Sequence, residues 1–171
     1  MAAGSVAFCR AERQSIECGA MVAGLALHIL AAVLWVGGMF FALQVLRPAA
    51  GAIEPALRLP LWRRVFARFF PWVWASVAVL LVSGYGMVFW GFGGFAGVGL
   101  HVHVMQAIGI VMVLAYAHLY FAPWRRFRRA VDAGDFAAAA KPLDQIRQIV
   151  TLNLVLGLIV VVVGATGRYW G

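Results

Sequence analysis

Along the chain, long apolar blocks alternate with short breaks that carry arginine and proline. Four blocks, 20–46, 65–92, 99–122 and 146–167, each reach the roughly 20 residues needed to cross about 30 Å of hydrocarbon. Apolar positions inside them do not alternate at strand period. The pattern therefore predicts an all-α polytopic membrane protein, a four-transmembrane-helix bundle. The breaks have a physical basis, because proline lacks the backbone donor that continues a helix. Arg47-Pro48 is expected to close the first block, and Pro123-Trp124, followed by Arg125 to Arg129 (RRFRR), the third. Pro71 marks either the first turn of the second helix or a kink within it.

Residues 1–20 form a leader, expected as a disordered segment or a helical extension, ahead of a membrane domain over 21–171. With two Arg, two Glu and no long apolar core the leader does not read as a signal peptide, and Met21 is an alternative start. Cys9 and Cys18 both fall here, and their pairing is open in an oxidising compartment. The stretch VDAGDFAAAAKPLD, 131–144, is expected as a short cytoplasmic helix or turn.

Composition supports lipid as the solvent: 64% of the residues are hydrophobic and 12% charged, against roughly 45–50% and about 25% in soluble domains. Mean hydropathy is +0.92. The net charge of +8 is then a matter of topology. Eleven cations lie in or beside the two loops that follow the first and third blocks (Arg47, Arg58, Arg63, Arg64, Arg68; Arg125, Arg126, Arg128, Arg129, Lys141, Arg147). The other side has Arg10, Arg13 and Arg168. Lys and Arg in short loops stay cytoplasmic, so both termini are expected to face outward. The cations imply attraction to anionic headgroups of the lipid bilayer and no nucleic acid. Trp62, Trp72, Trp90, Trp124, Trp170 and Tyr169 read as aromatic belts.

The segment GLHVHVMQ, 99–106, opens the third block with three metal-ligand side chains. A rise of 1.5 Å per residue from the cytoplasmic breaks puts His28, Met87, His103 and Met105 at about 27–30 Å and His101 at about 33 Å. His118 falls at only about 7–8 Å, and some 20 Å separate it from that level. Along the third helix His101 and Met105 share a side as i, i+4 neighbours, whereas His103 aligns with Gln106, Ile110, Leu114 and His118, so the two upper histidines cannot face one neighbour. Met39 and Met112, deeper, read as core packing; Asn153, Gln44, Ser76, Ser83 and Thr151 read as interhelical hydrogen-bonding groups.

Imidazole with thioether suits copper, particularly Cu(I). Two imidazoles from facing helices could equally clamp haem b, with Gly37, Gly38, Gly84, Gly86 and Gly109 leaving room for a flat macrocycle. The expected ligand set is His28, His101 and His103 with Met87 and Met105, and His118 as a secondary candidate. No Asp or Glu lies in a predicted helix core, which removes the usual general bases and hard-metal ligands. Any enzymatic activity would borrow its redox chemistry from a cofactor.

LHILAAVLWVGGMFF (27–41), RFFPWVWASVAVLLVSGYGMV (68–88), the His-bearing third helix and RQIVTLNLVLGLIVVVVGATGRYW (147–170) together resemble the CopD family of integral-membrane copper resistance proteins. The resemblance implies copper binding, uptake or resistance at the bacterial inner membrane, which would make the outward-facing termini periplasmic, with a periplasmic copper-binding protein as a candidate partner. The arrangement is also similar to HemJ-type protoporphyrinogen oxidases, with a first-helix histidine and an LH-x-K motif on the third helix. Here that motif reads LHVH, so His101 matches the family histidine and His103 stands in place of the lysine. A haem-binding redox protein is the alternative, and a ligand-free structural subunit, or a member of an oligomer, a second.

Overall fold

The computed structural model describes residues 2–170, with side chains placed for 18–167 and 169–170. Cys9 is outside the placed side chains, so its pairing with Cys18 lies outside the described residues; Cys18 is exposed. The chain is helical throughout: α1 (Ala2–Phe41), α2 (Arg47–Gly51), α3 (Pro55–Gly86), α4 (Leu100–Phe121), α5 (Pro123–Asp132) and α6 (Phe136–Thr166), with no strand among the described residues. Four stretches are long and apolar enough to cross a membrane, Cys18–Gly51, Pro55–Gly91, Leu100–Asp132 and Phe136–Thr166. Only 17–28% of the residues in their most apolar windows are buried. Leu25, Val33, Val82, Leu114 and Val162 are among the many large side chains left exposed, a surface suited to hydrocarbon. This is a multi-pass membrane protein.

The helices run further toward the arginine-rich end than the sequence predicts. Arg47-Pro48 does not stop the first helix: a π-helical turn, Ala42–Leu46, precedes it, and Pro48 enters the short α2 near its start, where a missing N–H costs little. The fourth helix begins ten residues before the predicted position 146, at Phe136. Gly134 turns the chain at φ 72°, and the Asp135 side chain accepts from Ala138 N at 2.9 Å as an N-cap. The segment 131–144 is thus the end of α5, a tight turn and the first turns of α6. Pro71 lies well inside α3, as do Pro60 in α3 and Pro142 in α6.

Around the bundle the order is α3, α1, α6, α4, with α5 folded back on α6. Large side chains close the remaining gap between α3 and α4: Tyr116 Oη donates to Phe70 O at 2.9 Å, and Gln106 Nε2 to Tyr85 Oη at 3.3 Å. At the arginine-rich end Trp62, Phe66, Phe70, Tyr116, Trp124 and Phe127 build a continuous aromatic core of stacked and edge-on rings. Trp62 and Trp124 are each 4% exposed, so they are core residues and not belts, whereas Trp72, Trp90, Trp170 and Tyr169 are exposed as predicted. Proline explains the displacement. The backbone breaks before Pro123, so α5 turns its Trp124 and Phe127 inward and its arginines outward. Arg63 fixes α5 to α3 through a two-pronged contact with Asp132, 2.9 and 3.1 Å.

Candidate metal centre

Two antiparallel seams organise the histidine-bearing end. Along α1 and α3 the register is read from three close approaches. Met21 packs on Gly91, Met87 lies over Gly24, and the His28 ring lies over Gly84. Met21, Gly24 and His28 recur at helical spacing on one face of α1. Met87 consequently sits about 6 Å further out than His28 along the seam, with Met21 beyond it. Along α4 and α6, His101 packs on Gly167, Met105 on Gly164 and Met112 on Gly157. The same Gly157 touches Val36 of α1, which ties the two seams together. Counting outward from that contact at 1.5 Å per residue, His28 stands about 12 Å up, Met105 about 10 Å and His101 about 15 Å. By this count His28, Met105 and His101 fall within about 5 Å of one level, whereas Met87, expected level with His28, lies about one turn beyond it.

His28 is the most constrained of the four histidines. Its Nδ1 is 2.9 Å from Ser83 Oγ, and Ser83 donates its single hydroxyl hydrogen to Val79 O at 2.6 Å. The serine oxygen can then only accept, so in the neutral ring Nδ1 carries the hydrogen and Nε2 keeps its lone pair. The Leu80 carbonyl, also an acceptor, faces the ring from the same helix. Fixing one ring nitrogen by a hydrogen bond to leave the other as a ligand is the usual second-shell arrangement of metal-binding histidines.

His101 and Met105 share a face, as their spacing requires, and that face is turned to α6. The His101 ring meets Trp170 edge-on at 6.5 Å between centroids. His103 points elsewhere: it is exposed, its ring tilted against Phe95 at 6.0 Å, in a small aromatic group with Tyr85 and Phe89. His118 is exposed near the arginine-rich end of α4. The fold thus pairs His28 with Met87 and His101 with Met105, on different seams. Among the described residues no three His, Cys, Asp or Glu side chains gather as a metal-holding group. A thioether also joins the first seam that the ligand set from sequence omits. Met21 is seven residues from His28 on the same face, a spacing that was legible once His28 was singled out.

Deeper side chains behave as expected from their depth. Met39 and Met112 are 3% and 4% exposed in the core, and Asn153, 2% exposed, donates Nδ2 to Met112 O at 3.1 Å across the α4–α6 seam.

A family model described as copper resistance protein D matches residues 63–166. The chain belongs to the copper resistance protein D family. The family match takes in Ser83, Met87, His101, His103, Met105, His118 and Asn153, while α1, with Met21 and His28, precedes it. No curated protein and no solved structure matches the chain. Family membership makes this a copper-resistance-related membrane protein.

Proposed function

We propose that this protein binds Cu(I) near the periplasmic face of the bacterial inner membrane and assists copper uptake or resistance there. The observation that carries the reading is the His28 ring, held by Ser83 so that Nε2 keeps its lone pair, one helical turn from the Met87 thioether. Soft thioether and imidazole donors favour Cu(I) over harder cations. His101 with Met105 offers a second pair of the same chemistry at a similar level, and His103, on the other face of α4 against Phe95, a third imidazole outside both pairs. A periplasmic copper-binding protein is the fitting donor for such a site.

Haem b is favoured less by the local packing. Of the five glycines that would make room for a macrocycle, Gly38 is covered by the Phe69 ring, Gly84 by His28 and Gly86 by Trp90. A haem clamped between His28 and α4 and using these glycines would have to displace the Phe69 and Trp90 rings and swing His28 off Gly84.

The decisive experiment purifies the protein in mild detergent, records its absorption spectrum and titrates Cu(I) against a colourless chelating competitor. The expected outcome is a protein without a Soret band that binds Cu(I), with His28→Ala weakening binding at least about tenfold and His118→Ala having little effect. A stoichiometric Soret band lost in His28→Ala would overturn the copper reading. A shared centre of His28 with His101 or His103 further requires that His28→Ala and His101→Ala or His103→Ala each abolish the same binding event; additive, independent losses would mean two sites.

A further inference from the structure

At the end opposite the histidines, α1–α2, α3 and α6 bring three arginines together. Arg47 and Arg58 both lie within electrostatic range of Arg147, with Asp144 the opposing carboxylate among the described residues. The Nε atoms of both Arg58 and Arg147 are buried without a hydrogen-bond partner. An orphaned, desolvated guanidinium donor is costly, and two of them in a like-charged cluster more so, unless an anion completes the set. Among the described residues the Asp144 carboxylate makes no salt bridge to these arginines, and its Oδ2 accepts instead from Gln148 Nε2 at 2.9 Å. Arg58 is only weakly held, through Nη1 to Gly51 O at 3.5 Å.

Beside these arginines opens a cleft of about 460 Å³ lined by Arg47, Asp144, Arg147, Gln148, Thr151 and Leu152. An apolar crevice walled by Trp62, Phe66 and Leu143 runs inward between Arg47 and Arg147. From the cleft, Leu152, Val155, Ile159 and Val162 continue along one face of α6, all exposed at 44–60%. Their helical spacing makes a single apolar track leading away from the charges. Planar guanidinium forks match tetrahedral oxyanions, and basic pockets between transmembrane helices are suited to phospholipid headgroups.

From this juxtaposition we infer a phosphate-group site formed by Arg47, Arg58 and Arg147, seated for the headgroup of an anionic phospholipid whose acyl chain lies along the Leu152–Val162 track. The site is separate from the copper reading and stands or falls independently of it. It concerns one bound lipid at a defined cleft, in contrast to the diffuse attraction of the loop arginines.

The test follows the thermal unfolding of the detergent-purified protein by tryptophan fluorescence, with dioleoyl-phosphatidylglycerol, dioleoyl-phosphatidylcholine or inorganic phosphate added. A ligand that binds only the folded state raises the midpoint. Phosphatidylglycerol is expected to raise it by several degrees and phosphatidylcholine to leave it unchanged. In the Arg58→Gln/Arg147→Gln variant the increment should vanish while the lipid-free midpoint rises, since removal of uncompensated like charge relieves the free protein. Arg58→Gln alone reads the same increment should the double variant fail to fold. Arg128→Gln/Arg129→Gln removes the same charge from the exposed face of α5 and should keep the full increment. If inorganic phosphate at millimolar concentration matches phosphatidylglycerol and removes its effect, the site takes free phosphate, by the same arginines. An increment that survives in Arg58→Gln/Arg147→Gln, or falls equally in the α5 control, would overturn the site.

Discussion

His28 shows how one weakly polar neighbour converts an intramembrane histidine into a candidate ligand. Ser83 has one hydrogen, which it gives to Val79 O, and what remains is an acceptor that selects the His28 tautomer. Ser83→Ala should then leave the fold intact and weaken Cu(I) binding about tenfold, in the range of second-shell substitutions. Competition titration checks it, and an unchanged affinity would mean that the ring is oriented by packing on Gly84 alone. A smaller loss is expected for Met21→Leu than for Met87→Leu, because Met21 lies a further turn out along the seam.

The helix seams depend on where glycine replaces a side chain. Between helices in lipid there is no hydrophobic driving force, so close packing supplies the attraction. A Cβ on Gly157 would come within 2.8 Å of a Val36 methyl and 3.3 Å of Met112 Cε, at the contact that joins α1, α4 and α6. Gly157→Ala is therefore expected to destabilise the bundle by about 1–3 kcal/mol. Gly109 has open space where its Cβ would be, and Gly109→Ala should be neutral or stabilise by about 1 kcal/mol through helix propensity. Unfolding in detergent distinguishes the pair; equal effects would mean that the α1–α6 approach is looser than this contact implies. The two-pronged Arg63–Asp132 bridge is exposed, so Asp132→Asn should cost no more than about 1 kcal/mol by the same measurement.

Across the bundle, most of the chemistry is sorted to two ends: His28, His101 and His103 with Met21, Met87 and Met105 toward one, and eleven of the fourteen Lys and Arg, with His118, toward the other. From the cation count we propose that the arginine-rich end is cytoplasmic, with both termini and the 93–98 turn outside. Single cysteines introduced into that turn should react with an impermeant reagent added to intact spheroplasts, and cysteines in α5 should not. The reverse pattern would move the copper site to the cytoplasmic face. The exposed Ala96 is the position for such a label, since Gly93 and Gly94, at φ 69° and 111°, need glycine and a Cβ on Gly97 would strike Phe92 O.

Four spans and the opposed faces of His101 and His103 were legible in the chain, because hydrocarbon thickness and helical periodicity act on each segment separately; the depth of Met87 was not, since it lies about a turn beyond His28. The level of His28 with Met105 and His101 followed from counting alone. Which seam each ligand enters did not. That depends on the neighbour a helix meets, and hence on Gly84, Gly157, Gly164 and Gly167 permitting contact at particular heights. The proline rule failed at Pro48 because a π-helical turn re-registers the backbone ahead of it. The belt rule failed at Trp62 because it packs on Phe66 beside Leu43 and Ile146, and at Trp124 because the break before Pro123 turns α5 inward. Nor does spacing bring Arg47, Arg58 and Arg147 together, since they belong to three separate helices. A single helix dictates which residues share its face; the packing of helices decides what that face meets, because contact energy depends on pairs of surfaces that no one segment encodes.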